Sequence, residues 1–193
     1  TTTQVDQEFC EIDNATIADL NATGNGILWY DTETSTTPLI LTDALIDGED
    51  YWASQTNAST GCESATRLVV NVIILVTPPP TTSSTSQSFC EIDSPTVANL
   101  AATGNNVSWY DNEADTTPLN ETDLLVEGED YWASQTDATT GCESTTRIVV
   151  TVTLTSPLPP TTTEVNQTFC EIDNATVADL DVTGTNIMWY ASE

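Results

Sequence analysis

A block of 80 residues recurs along this chain with no insertion or deletion. Phe-Cys-Glu-Ile-Asp stands at 9–13, 89–93 and 169–173, and Trp-Tyr at 29, 109 and 189. Gly-Glu-Asp-Tyr-Trp-Ala-Ser-Gln-Thr stands at 48–56 and 128–136, and Gly-Cys-Glu-Ser at 61–64 and 141–144. Residues 1–80 and 81–160 agree at about three positions in five, and the third copy runs to Glu193. A solenoid unit of roughly 20–50 residues cannot bury its own apolar face and must stack on its neighbours. An 80-residue unit is long enough to be a small domain by itself.

The segments between copies fit a string of domains. Residues 76–86 read VTPPPTTSSTS and residues 156–165 read SPLPPTTTEV. Proline runs favour extended polyproline II and make semi-rigid spacers. The expected division is repeat 1 at 1–76, a linker at 77–86, repeat 2 at 87–155, a linker at 156–166, and the N-terminal part of repeat 3 at 167–193.

Within a copy the signals are β. Ile27-Leu28-Trp29-Tyr30 is a short aromatic strand after the turn cluster Thr23–Gly26, and Tyr51–Thr56 is a second. Residues 66–75 form the longest, with Leu68, Val70, Val72 and Ile74 on one face, matched by Ile148, Val150, Val152 and Leu154. That period of two marks a half-buried antiparallel strand. Residues 14–20 read equally as a single helical turn, capped at Asn14 or Ser94, or as a strand. Trp29 and Trp109 sit on a central strand. Leu45 precedes Tyr51 by six residues across an Asp-Gly turn, and Leu125 precedes Tyr131 likewise, the spacing of a tyrosine corner. The fold class is therefore all-β: tandem immunoglobulin-like β-sandwich repeats joined by Pro/Thr-rich linkers. Two residues after the tyrosine, where antibody domains carry a core cysteine, stands Ala53.

The ordered blocks Phe-Cys, Thr-Gly-x-x-Ile-x-Trp-Tyr, Pro-Leu, Gly-x-x-Tyr-x-Ala-Ser-Gln-Thr and Gly-Cys-Glu-Ser resemble the immunoglobulin-like repeats of Bacteroidota surface proteins. These include very long gliding-motility adhesins exported by the type IX system. The resemblance implies an extracellular, bacterial cell-surface location and a stalk or adhesive role. It carries no catalytic residue.

Charge narrows the partners. There are 30 acidic residues against two arginines, with no histidine and no lysine, for a net charge of −28. Nucleic acid and anionic membrane surfaces need a basic patch, so neither is an expected partner. No apolar run reaches the ~18–20 residues that span a bilayer. Without His or Lys, the usual acid–base and nucleophilic sets are missing, and an enzyme is not expected. No cofactor is expected either. Calcium is the best cation candidate, through Asp47-Gly48-Glu49-Asp50, but no EF-hand spacing occurs. Asn-x-Ser/Thr sequons at Asn14, Asn21, Asn57, Asn106, Asn120, Asn166 and Asn174 are candidate glycosylation sites. Arg67 and Arg147 are the sole cations, one per copy. They are expected to be structural, stacked on Trp52 or Trp132 or paired with a carboxylate.

Five cysteines remain, at 10, 62, 90, 142 and 170. Two registers offer themselves: Cys10–Cys62 with Cys90–Cys142, or Cys62–Cys90 with Cys142–Cys170. In a sandwich of this class the start of the first strand lies at the same end as the loop before the last strand. Pairing within repeats is therefore expected, with Cys170 bonded to a cysteine near position 222 of a longer protein. The expected function is a stalk or filament shaft that spaces an adhesive tip from the cell. The rival is a repeat that itself binds carbohydrate or protein. The expected partners are neighbouring repeats of the same chain and other copies in a filament.

Overall fold

The computed structural model describes residues 5–191. Regular structure in these residues is strands and single 3-10 turns. Repeat 1 contributes β1 (Val5–Cys10), β2 (Leu28–Tyr30), β3 (Asp50–Ser54) and β4 (Leu68–Leu75). Repeat 2 contributes β5 (Ser86–Cys90), β6 (Ser108–Tyr110), β7 (Asp130–Ser134) and β8 (Ile148–Thr155). Each repeat forms one four-stranded sheet, in the orders β1-β4-β3-β2 and β5-β8-β7-β6.

β4 is central because it is nearly continuous in β-branched residues, which pack well on a pleated surface. It runs antiparallel to β3, with Tyr51 opposite Val70 and Ala53 opposite Leu68. It runs parallel to β1, with Val5 opposite Val70 and Cys10 opposite Leu75. A parallel pair needs a crossover of a dozen residues or more, and residues 11–67 provide it. β1 lies at the sheet edge and presents Asp6 and Glu8 there, charges that discourage pairing with another strand.

The second layer of the sandwich is reduced to an irregular pair. Ala15–Ala18 lies against Leu41–Leu45: the Ile17 N–H donates to the Asp43 carbonyl at 2.9 Å and the Leu45 N–H to the Ala15 carbonyl at 2.9 Å. Thr16 makes a β-bridge with Ala44, and Ile17–Asp19 then makes one 3-10 turn. Of the two alternatives, the single helical turn is present at Ile17–Asp19, and the strand is reduced to one bridge. The N-cap, however, is Thr16, whose N–H is held by Asp19 at 2.7 Å, whereas Asn14 sits in the left-handed region with φ 49° and closes the preceding turn. Ala15, Ile17, Leu20 and Leu45 from this layer bury against Trp29, Tyr51, Ala53, Val70 and Val72 of the sheet. Repeat 2 has the same core around Val97, Trp109, Tyr131, Val150 and Val152.

The linker between repeats is not a free spacer. Thr77 and Pro80 are buried, and Thr81 bridges to Thr103 of repeat 2. The Thr82 hydroxyl donates to the Ala101 carbonyl at 3.1 Å. The extended proline segment is therefore laid along the flank of repeat 2. The second linker repeats the arrangement, with Thr161 bridged to Thr183. In the third copy Phe169, Trp189 and Tyr190 are exposed.

Candidate functional site: the joint between repeats

The end of repeat 1 meets the loop of repeat 2 through a disulfide. Cys10, the last residue of β1, is bonded to Cys142, with 5.3 Å between their Cα atoms and 132 residues of sequence between them. Cys62, Cys90 and Cys170 are free and exposed. This overturns the pairing expected within repeats, Cys10–Cys62 and Cys90–Cys142, and equally the alternative that paired Cys62 with Cys90. The premise about strand starts is right, since Val5 does lie at the early end of β4. But Cys10 closes β1 rather than opening it. The parallel register carries it to Leu75, at the far end of β4 from Cys62. Seven residue steps at ~3.3 Å put these ends about 23 Å apart, well beyond disulfide reach. At that far end lies the next repeat, and its Gly-Cys-Glu-Ser loop supplies the partner. Cys170 is free and exposed in this chain, and a partner near position 222 lies outside the described residues.

Polar contacts seat the joint around the disulfide. The Thr77 hydroxyl donates to the Cys142 carbonyl at 2.9 Å, and the Gln135 side-chain amide donates to the Pro78 carbonyl at 2.8 Å. The Thr145 hydroxyl donates to Glu11 at 2.9 Å. Pro80 lies close to Gly104: a Cβ there would stand 3.0 Å from the proline ring and 2.5 Å from Gln135 Oε1, so a larger residue would have to displace the Gln135 amide. Cys142 is 1% exposed and Ser144 is buried, whereas their counterparts Cys62 and Ser64 in repeat 1 are exposed and half-buried. The loops share their shape. Gly61 and Gly141 have φ 68° and 74°, a left-handed turn that a Cβ would strain. Asp137 accepts the N–H groups of Thr140 and Thr139, which hold its carboxyl below the usual carboxylate range, and Asn57 accepts those of Ser59 and Thr60 at the same places in repeat 1.

The aromatic and cationic residues singled out from sequence support this loop. Trp29 and Trp109 are buried in the cores. The Tyr51 hydroxyl accepts the Ile46 N–H at 3.1 Å and Tyr131 accepts the Val126 N–H at 3.0 Å, so both tyrosine corners are present. Trp52 and Trp132 are half-buried on the opposite face, cross-strand from Tyr30 and Tyr110. The arginines do not stack on those indoles. Arg67 lies 3.4 Å from the centroid of Tyr30, and Arg147 3.4 Å from that of Tyr110. The carboxylate pairing is present: Arg67 meets Glu63 at 3.5 Å and Arg147 meets Glu143 at 3.7 Å. Each also donates to three carbonyls of the segment after the aromatic strand, those of Thr32, Glu33 and Ser35 in repeat 1. Burial pushes the Tyr30 and Tyr110 hydroxyls up. The hydroxyls of Ser54 and Tyr30, with Arg67 beyond them, hold Glu63 low. Glu143 follows the joint cysteine Cys142 and Glu63 follows its free counterpart Cys62, so this cluster anchors each Gly-Cys-Glu-Ser loop to its sheet.

A second recurring feature is a cleft of ≈ 210 Å³ in repeat 1 and ≈ 290 Å³ in repeat 2. Ile17, Leu39, Ile46 and Tyr51 floor it, and Asp31, Asp43, Glu49 and Asp50 rim it. In the neighbouring turn, Asp47 accepts the Ile74 N–H at 2.8 Å and Asp50 accepts from the Asn71 amide at 3.0 Å, so both side chains bind β4. Among the described residues no group of three or more His, Cys, Asp or Glu side chains is placed to hold a metal ion. No helix among them is long and apolar enough to cross a membrane. All seven sequon asparagines are exposed.

Residues 1–78 and 77–155 each match the family described as Ig-like domain, CHU_C associated. The chain belongs to this family. Two tandem copies fit the Bacteroidota immunoglobulin-like repeats that the sequence resembles, and each matched unit is one sheet-and-loop domain with its tyrosine corner. Comparison with curated proteins gives no match. The joint disulfide and the Arg–Tyr stack are the elements that sequence reasoning missed. The signal for the first was the place of the cysteine after, not before, the Val5–Phe9 segment. The signal for the second was the tyrosine that follows each core tryptophan.

Proposed function

We propose that the chain is part of the shaft of an extracellular cell-surface adhesin or filament, spacing an adhesive tip from the cell. The observation that carries this reading is the joint: the linker is bound to the flank of repeat 2, and Cys10–Cys142 ties the far end of repeat 1 to it. Two attachments fix the relative placement of neighbours, as a spacer requires and an isolated binding module does not. The disulfide calls for an oxidising, extracytoplasmic setting. The charge of −28 keeps neighbouring shafts apart. Electron microscopy of multi-repeat chains tests the reading. Straight particles that lengthen by a constant increment per repeat are the expected result. Particles that bend freely at every linker would overturn it.

One observation favours a second reading, in which each repeat is itself a carbohydrate- or protein-binding module. The acid-rimmed cleft recurs at equivalent residues in both copies, Asp31, Asp43, Glu49 and Asp50 against Asp111, Asp123, Glu129 and Asp130. Removing one repeat from the surface protein separates the two. A shaft loses reach and keeps attachment per molecule, whereas a set of binding modules loses attachment in proportion.

A further inference from the structure

We propose that the Cys10–Cys142 bond makes this pair of repeats a length-limited tether, in which pulling force passes from the first strand of one repeat to the loop and last strand of the next, and the residues between the two cysteines stay off the load path. The inference takes from the shaft reading only the presence of a pulling force.

The covalent path carries the argument. A load applied at the N-terminal side enters β1, runs along it as covalent chain to Cys10, and crosses the disulfide to Cys142. It leaves through β8, which starts six residues later, and continues into the second linker. Everything between the two cysteines hangs off this path: β2, β3, β4, the first linker and β5 to β7. None of it can be drawn out by tension, however completely it unfolds. A link within each repeat would shorten the chain as two separate loops and leave the linker under load. The observed link crosses the linker and removes it from the load path. The linker then acts as a positioning strut, held by Thr77, Pro78 and Pro80 against repeat 2.

The joint also protects the bond. It does so on one side: Cys142 is 1% exposed, beneath the linker, whereas Cys10 is half-buried, so a soluble reductant meets the bond from the Cys10 side. The left-handed turns at Gly141 and Gly61 hold the two loops in one shape, yet only the occupied one is buried. Burial is therefore produced by docking rather than by the loop sequence.

Single-molecule stretching of the full chain, held at its two ends, tests the proposal. The separation of 132 residues hides a contour of about 440–475 Å at ~3.3–3.6 Å per residue. Without reductant, the fully stretched chain is expected to fall short of its open length by that amount. Adding a dithiol reductant under load is expected to restore it in a single step. The Cys10→Ser chain should reach the open length without reductant. Open length in the unaltered chain, or recovery in two steps of about 170–190 Å as pairing within repeats would give, overturns the proposal. The shaft reading fails separately: a short contour in chains that image as freely hinged leaves the tether and removes the shaft, and an open contour in straight particles does the reverse.

Discussion

The guanidinium of Arg67 lies flat on the ring of Tyr30, 3.4 Å from its centroid, on the face of the sheet opposite the core. Its side chain is 12% exposed, and it also donates to three backbone carbonyls and meets Glu63. A lysine has neither the planar face nor the fork to do all of this. Arg67→Lys is expected to destabilise repeat 1 by about 2 kcal/mol and Arg67→Ala by about 3 kcal/mol, from the lost stacking and the orphaned carbonyls. Thermal melts of both variants check this. Unchanged melting in Arg67→Ala would reduce the arginine to a surface charge.

The tyrosine corner gives a narrower test. Tyr51 is 6% exposed and its hydroxyl accepts the Ile46 N–H, so Tyr51→Phe removes one acceptor and leaves the ring in place. The expected cost is about 1–2 kcal/mol, from the orphaned Ile46 N–H, with the disulfide retained because the ring stays in place. Denaturant titration gives the stability, and peptide mapping shows that the disulfide is retained.

These two residues also mark what the sequence makes legible. The core face of β4 was visible as four apolar residues at a period of two, and Tyr51 as a spacing from Leu45. β1 was not visible: Val-Asp-Gln-Glu-Phe-Cys has one apolar residue near each end, since an edge strand next to solvent needs no apolar run. Its parallel direction was invisible too, because pairing direction leaves no mark on side-chain alternation. That single gap displaced Cys10 by the length of a strand and produced the wrong disulfides. Tyr30 was likewise hidden. A residue beside a core tryptophan should face solvent, yet Tyr30 is 2% exposed, with the arginine folded over it and Trp52 cross-strand.

The capping residue of the short turn offers a test by pH. Asp19 accepts the Thr16 N–H at 2.7 Å and its hydroxyl at 2.9 Å, and these bonds lower its pKa from 3.8. A carboxyl lowered in the folded state adds stability that is full above about 3.8 and is lost as pH falls through the folded value. Repeat 2 has Asn99 in the same place, accepting the Thr96 N–H at 2.8 Å without charge. Asp19→Asn is therefore expected to keep the turn and to remove this part of the acid sensitivity. Carboxyl titration by NMR should place Asp19 below 3.8. A midpoint at or above that value would show that the cap is not formed in solution.

The bond between Cys10 and Cys142 also predicts how the other cysteines behave. Translation by one period places Cys90 where Cys10 stands and Cys62 where Cys142 stands, each exposed because its counterpart repeat is not docked on it. In this chain Cys62, Cys90 and Cys170 are expected to take up a maleimide without reductant, three labels per molecule, and Cys10 and Cys142 only after reduction. Joining a further copy of residues 1–80 ahead of Thr1 supplies the missing end for Cys62. Its reactivity should then disappear, and non-reducing peptide mapping should join it to the first cysteine of the added copy. The two thiols lose two protons and two electrons in that step, accepted by oxidised glutathione in the refolding buffer, which leaves as two molecules of the reduced thiol. A Cys62 that stays reactive in the longer chain, while Cys10–Cys142 forms, would show that the joint depends on residues peculiar to repeat 2. Thr145 is the first to examine, because its counterpart, Ala65, has no hydroxyl to offer Glu11.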